Sequence, residues 1–455
     1  MDCLVKIAFC RQSIFLREYG MKIKLLHKIF ILFLSSTLFF SCTTLRDYST
    51  VYNELGSKNY DLAYQQLEAE KESIYTDKDE LLYSLDSGLL AHYNRDYEES
   101  NSKLSNAERL IESYYSKSIS QGINSFFTND NAQDYSGEEY EDIYSNLFMA
   151  LNYIHLGQIE DAFVEIRRFD NKQKSLSVKY SEELAYAKEN AEGNLDASVQ
   201  FNNSALARYL SMILYRSRNQ MDSAEVDRKK ITEAFKTQAA LYPFEIPLAV
   251  NEEFSIPKDM ARLNIMSFAG FAPLKFEESM GDIYQNGFTF KISIPEMQKR
   301  GTQVNSISVL VFGKNGESYV EKMEKIESIE NIAYDTFNQK RALIYAKAFI
   351  RSMSKTAVST TFDVLSAKSD DNETAFALLA LASKVWTVAS EAADLRTSQF
   401  FPAEAYVGGI TLPEGEYVVE VRYLDKHNRL LSSEVFENVI VSKNKLNLVE
   451  TLCVK

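Results

Sequence analysis

Cysteine, histidine, tryptophan, proline and glycine are all scarce: 455 residues hold four cysteines, four histidines, one tryptophan, seven prolines and 16 glycines. Cys3, Cys10 and Cys42 lie near the start and Cys453 near the end, so a chain cut before Cys42 keeps no pair for an internal disulfide once that cysteine is modified. No His-Glu-x-x-His, Cys-x-x-Cys, Gly-x-Ser-x-Gly or phosphate-binding glycine loop occurs. Ser352-Met353-Ser354-Lys355 fits the Ser-x-x-Lys of penicillin-binding enzymes, but Lys355-Thr356 runs into Ala357 rather than glycine, and Ser100 with Lys103 makes the same match. The expectation is a protein that is not an enzyme, with no metal and no cofactor.

Positive charge is also in deficit. Fifty Lys and Arg face 64 Asp and Glu, and six of the basic residues precede Cys42, so removing residues 1–41 takes the formal charge from −14 to −18. Such a surface repels phosphate backbones, and no basic stripe offsets it, which excludes nucleic acid as the expected partner.

Hydrophobic runs long enough to span a bilayer are missing too. From Met21, the basic Lys22, Lys24 and Lys28 precede the apolar run Ile29 to Phe40. Twelve helical residues reach only about 18 Å, short of a roughly 30 Å hydrocarbon core, so the run reads as a cleaved export signal. Phe39-Phe40-Ser41-Cys42 resembles a bacterial lipobox, with Phe where Leu is usual, and places a lipid on Cys42. Glu18 and the lack of an apolar stretch in residues 1–20 leave both Met1 and Met21 open as the start. Thr43 and Thr44 follow the cysteine without the Asp that retains lipoproteins in the inner membrane of enteric bacteria, which favours the outer membrane.

Between Tyr48 and Phe235, proline and glycine are sparse and apolar residues recur at three and four, the period of amphipathic helices. Tyr60-Asp61-Leu62-Ala63, Tyr97-Glu98-Glu99-Ser100, Ile159-Glu160-Asp161-Ala162 and Met221-Asp222-Ser223-Ala224 each place a large apolar residue three before a small one. Gly88 to Tyr93 aligns with Ala150 to His155, and Arg95 with Gly157. The pattern resembles tetratricopeptide repeats, whose unit is about 34 residues. The anchors lie 37, 62 and 62 residues apart, so further segments must be inserted, among them Ser116 to Glu141, which reads as a loop crossing the groove.

Asn129-Asp130, Tyr135-Ser136-Gly137-Glu138, Tyr140-Glu141, Ala150-Leu151-Asn152-Tyr153, Gly157, Asp161-Ala162, Val164-Glu165, Arg167-Arg168 and Asn171 together resemble a family of uncharacterised bacterial lipoproteins that contain tetratricopeptide repeats. The resemblance implies an acylated N-terminus, helical repeats and a strand-rich C-terminal region, and it brings no activity with it. Asp394 and Arg396, followed by Pro402-Ala403-Glu404, are a further recognisable stretch, without the tryptophan usual near that arginine. Glu165 and Arg168 are spaced for a same-face pair, either a solvated ion pair or part of a clamp for a partner carboxylate.

Pro243, Pro247 and Pro257 mark a linker. Beyond it, Arg262 to Phe271, Phe288 to Ile294, Ser306 to Phe312, Ala405 to Leu412, Tyr417 to Leu424, Leu430 to Val441 and Lys445 to Val454 read as strands. Glu324 to Ser366 and Thr374 to Ala393 read as helices. The expected architecture is α+β: an N-terminal all-α tetratricopeptide-like array over 42–242, a linker over 243–260, and over 261–455 a small antiparallel β-sandwich-like domain with a helical insertion near 324–394.

Three readings remain open. The first is an adaptor tethered to the membrane by Cys42 that captures an envelope protein with its repeats, partner-binding residues being Asn129, Asp130, Tyr153, Glu165, Arg167, Arg168, Asp394 and Arg396. The second is a cell-wall ligand-binding or hydrolytic protein with a pocket between the two domains, around Asp394, Arg396 and Glu404. The third is an envelope spacer without a discrete partner.

Overall fold

A computed structural model describes residues 46–121, 130–179, 181, 185, 199–285, 288–366 and 393–455, of which 48–455 belong to one compact unit. Cys42 and Asn129 lie outside the described residues.

The helical part is built from hairpins: α1 (Ser49–Gly56) with α2 (Tyr60–Ala69), α3 (Glu80–Tyr93) with α4 (Tyr97–Gln121), α5 (Glu139–His155) with α6 (Ile159–Ser175), and α7 (Ala205–Ser217) with α8 (Met221–Thr237). Each first helix stops on a residue of positive φ: Lys58 (63°), Arg95 (64°), Gly157 (73°) and Asn219 (57°). The next amide then turns back onto a carbonyl five residues earlier, Asn59 to Glu54, Asp96 to Ala91, Gln158 to Tyr153 and Gln220 to Tyr215. These left-handed caps satisfy carbonyls that the helix end leaves open. The recurring sequence pattern marks the start of every second helix, and its small residues Ala63, Ser100, Ala162 and Ala224 are fully buried. Close approach explains them: a Cβ on Gly88 would sit 2.8 Å from the Leu104 side chain, and the Gly88 carbonyl accepts from Ser100 Oγ at 2.7 Å.

The C-terminal part corrects the expected small antiparallel sandwich. Its strands β1 (Ala261–Ala269), β4 (Ser306–Gly313), β5 (Ser318–Ser328), β6 (Glu404–Leu412), β7 (Gly415–Leu424), β8 (Leu430–Val441) and β9 (Asn447–Cys453) form one sheet of seven strands in the order β8-β7-β4-β5-β6-β1-β9. It is mixed, because β9 runs parallel to β1 while the other pairs are antiparallel. The sheet curls until its edges approach: Glu434 on β8 accepts from Thr451 on β9 at 2.7 Å, and inside the curl Tyr423 bonds Ser267 and Thr451. The remaining strands, β2 (Leu274–Gln285) and β3 (Phe288–Gln298), form a separate antiparallel hairpin beside α9 (Ile329–Ser366).

Two causes underlie the correction. Alternation marks a strand but not its partner, so the parallel β1–β9 pairing leaves no local trace. Glu324-Lys-Ile-Glu-Ser328 reads as the start of the helix over 324–366 because of its Glu and Lys, yet it is the end of β5, which links two halves of the sheet.

The curled sheet has a core of its own, with Leu263, Ile265, Val309, Val311, Val419 and Val421. The opposite face of β1, β6 and β9 joins the helical core through Met266, Phe268, Val407 and Leu452. All nine β1 residues are buried for that reason. α3, α5 and α7 are enclosed by their partner helices on one side and by the sheet on the other.

Candidate functional site

Residues 393–403 of the same chain lie against α3 and α5. Arg396 grips Asp394 through Nε and Nη2 (2.9 and 2.8 Å), donates to the carbonyls of Asp130 (2.9 Å) and Gln133 (3.1 Å), and reaches Asp79 at 3.4 Å. The amide of Ser398 donates to Glu141 on α5 at 2.6 Å, and that of Gln399 to Asp86 on α3 at 2.9 Å. Phe400 then packs against Tyr48, Tyr52 and Phe271, its carbonyl accepting from Tyr93 at 2.7 Å, while Phe401 packs against Tyr140 and Phe148.

Asp86 and Glu141 are fully buried carboxyl groups that accept from backbone amides of this segment. Asp86 also accepts from Ser398 Oγ and Tyr75 at 2.7 Å, and Glu141 from Tyr135 at 2.7 Å and Thr397 at 3.1 Å. Burial pushes the Asp86 carboxyl up to about 7 against the pull of its donors, and raises that of Glu141 as well.

A second seam joins the sheet to the helix ends. Glu450, on the helix-facing side of β9, accepts from His92 at 2.7 Å on one oxygen and meets His155 at 2.8 Å on the other. His92 Nδ1 contacts Asn152 Oδ1 at 2.6 Å, and His155 stacks on Tyr97 with ring centroids 4.5 Å apart. Burial opposes charge on His92, but the Glu450 carboxylate outweighs it and raises the imidazole. Glu450, despite burial, is held far below the usual carboxylate range by the two histidines. The pocket beside them has room for about 30 Å³, on the scale of one water. Both Glu450 oxygens and both His92 nitrogens are engaged, so this is a clamp between repeats and sheet.

A third buried carboxyl, Glu327 of β5, accepts from Tyr144 (2.5 Å), Ser204 (2.8 Å), Tyr242 (2.8 Å) and the Leu206 amide (3.0 Å). Burial raises it. It ties α5 and the start of α7 to the sheet.

Of the residues singled out in the sequence, Asp130, Asp394 and Arg396 come together at the segment just described, Asp130 through its carbonyl. Glu404, whose region the pocket reading invoked, pairs with Lys325 at 2.5 Å and accepts from Tyr406 at 2.5 Å. Glu165 is buried against Asn146 at 2.7 Å, and half-exposed Arg168 bridges Glu165 (3.2 Å) and Glu108 (2.9 Å). Tyr153 lies part-buried on α5, and Arg167 is exposed at the rim of a cleft between α6, α7 and α8.

Asp86, Glu327 and Glu450 were not singled out. Glu450 carried a signal, a carboxylate inside the apolar run Leu446 to Leu452, where a charge needs a buried partner. Asp86 in the first turns of Leu81 to Tyr93 carried the same one. Among the described residues no group of three or more His, Cys, Asp or Glu is placed to hold a metal ion, and no helix is long and apolar enough to cross a membrane. No family model, curated protein or solved structure matches this chain.

Proposed function

We propose that the chain is a non-enzymatic, lipid-anchored envelope scaffold that receives partner proteins on its outward faces rather than in its repeat groove. The observation that supports this reading is the filled groove. Asp86 and Glu141, the groups a repeat would offer to an extended ligand, are spent on Ser398 and Gln399 of the same chain. The anchoring half rests on the run from Lys22 to Cys42. A tether at the N-terminus and a body braced by buried carboxylates suit a protein that positions others.

The test is intact-mass spectrometry of the full chain purified from native membranes after in vivo crosslinking, beside Cys42→Ala. The expected result is a mass beginning at Cys42 with added acyl chains, lost in the variant, and a stoichiometric crosslinked protein whose contact sites map to exposed residues of the helices or sheet. An unlipidated chain refutes the anchor, and crosslinks confined to the inward helix face refute the scaffold reading.

A further inference from the structure

The cleft between α6, α7 and α8 is independent of the self-filled groove and of the two seams. Three helical stripes line it: Phe163, Ile166, Arg167 and Asp170 from α6, Arg208, Ser211 and Tyr215 from α7, and Ser223, Val226, Asp227 and Lys230 from α8. The spacing of three and four in each stripe gives each helix one continuous face toward the cleft. α7 turns Tyr209 and Arg216 the other way, to Asn264 of the sheet. The cleft has room for about 240 Å³. That suits a ligand of amino-acid size.

Its floor is an ion cluster with spare acceptors. Arg208 spends its guanidinium on Asp170 (2.6 Å), Asp227 (3.5 Å) and Asn203 (3.3 Å). Asp227 is 4% exposed and has Ser211 as a donor beside Arg208, which leaves its Oδ2 and the buried Oδ1 of Asp170 as the carboxylate oxygens of the floor without a partner. Buried carboxylate oxygens without a donor are costly, and two in one cleft call for a donor-rich group. An ammonium supplies three donors and no acceptor. At the rim stand Arg167 and Lys230, whose charges act on Glu160 and on Asp227 respectively. Both are placed to meet an anion entering from solvent, and Phe163, Ile166, Val226 and Tyr215 supply apolar wall between floor and rim.

We infer that this cleft binds a small zwitterion, its primary ammonium on Asp170 and Asp227 and its carboxylate or phosphate on Arg167 and Lys230. Two sources share that chemistry: a free amino acid with an apolar side chain, and the phosphoethanolamine group of a lipid. The inference does not depend on the scaffold reading.

The experiment is calorimetric titration of the full chain in detergent with L-leucine, L-valine, L-phenylalanine and O-phosphoethanolamine. Controls are N-acetyl-L-leucine, which lacks the ammonium, and L-leucinamide, which lacks the carboxylate. Saturable binding by an amino acid identifies the first source, and binding by phosphoethanolamine alone the second. Either control should bind at least about tenfold more weakly than leucine, because each removes a charge-assisted contact. Lys230→Ala at the rim should weaken binding by about the same factor, as should Asp227→Asn if its melting curve shows a folded protein. Failure of all four probes to bind at about 10 mM overturns the inference, as does an acetylated control that binds as tightly as a leucine that itself binds, or unchanged affinity of Lys230→Ala for whichever probe binds.

Discussion

Asp86, Glu141, Glu327 and Glu450 carry much of the cohesion between helices and sheet, because each is a buried or, for Glu450, largely buried carboxyl whose oxygens are met by donors from a distant part of the chain. Replacing Asp86 with Asn puts an amide donor opposite other donors, and should cost about 1–3 kcal/mol of unfolding free energy by urea titration. The Glu450 clamp adds a pH signature. His92 is raised from 6.5, so its contribution is complete below that value and is lost as pH rises through the raised one. Glu450 is lowered from 4.5, so its contribution is complete above 4.5 and is lost as pH falls. The clamp is therefore strongest between pH 4.5 and 6.5. The stability difference between the native chain and Glu450→Gln should peak in that window, on the order of 3 kcal/mol, and shrink by pH 9. A difference that is flat from pH 5 to 9 would contradict the clamp.

At the scale of elements, the four helical hairpins were legible because their determinants are local. A large apolar residue opens each second helix, a small one sits three later, and Arg95 aligns with Gly157 at the left-handed cap. The caps are testable one by one. Gly157 has no neighbour within 4 Å of where a Cβ would stand, so Gly157→Ala should lose about 1–2 kcal/mol to backbone strain alone. Gly88→Ala should lose a similar amount for another reason, contact with the buried Leu104, and Gly88→Ala combined with Leu104→Ala should lose less than the sum of the two single losses in thermal melts. Most strands were legible by alternation as well. β2, Leu274–Gln285, was not read as a strand. β5 was not either, since its Glu and Lys residues serve a strand only when neighbours on both sides supply the pairing.

At the scale of the whole molecule the sequence says least, because what matters is which surfaces meet. Tyr140, Tyr144, Phe148 and His92 look like the inner face of an open array, and nothing near them announces that Phe401, Glu327, Phe268 and Glu450 will cover them. The two halves so share one core, and the described unit should unfold in a single cooperative transition by calorimetry. Phe401→Ala, which opens a cavity where repeats and sheet meet, should lower stability by about 3–5 kcal/mol without splitting the transition. Two resolved transitions would mean that repeats and sheet fold apart.

The most direct test of the central claim is hydrogen exchange at the amides of Ser398 and Gln399 in the full chain. Bound to buried Glu141 and Asp86, they should exchange as slowly as the cores of α3 and α5, and Asp86→Asn should speed Gln399 selectively. Exchange at the rate of an exposed loop would mean that the repeat groove is open, and that partners could bind there after all.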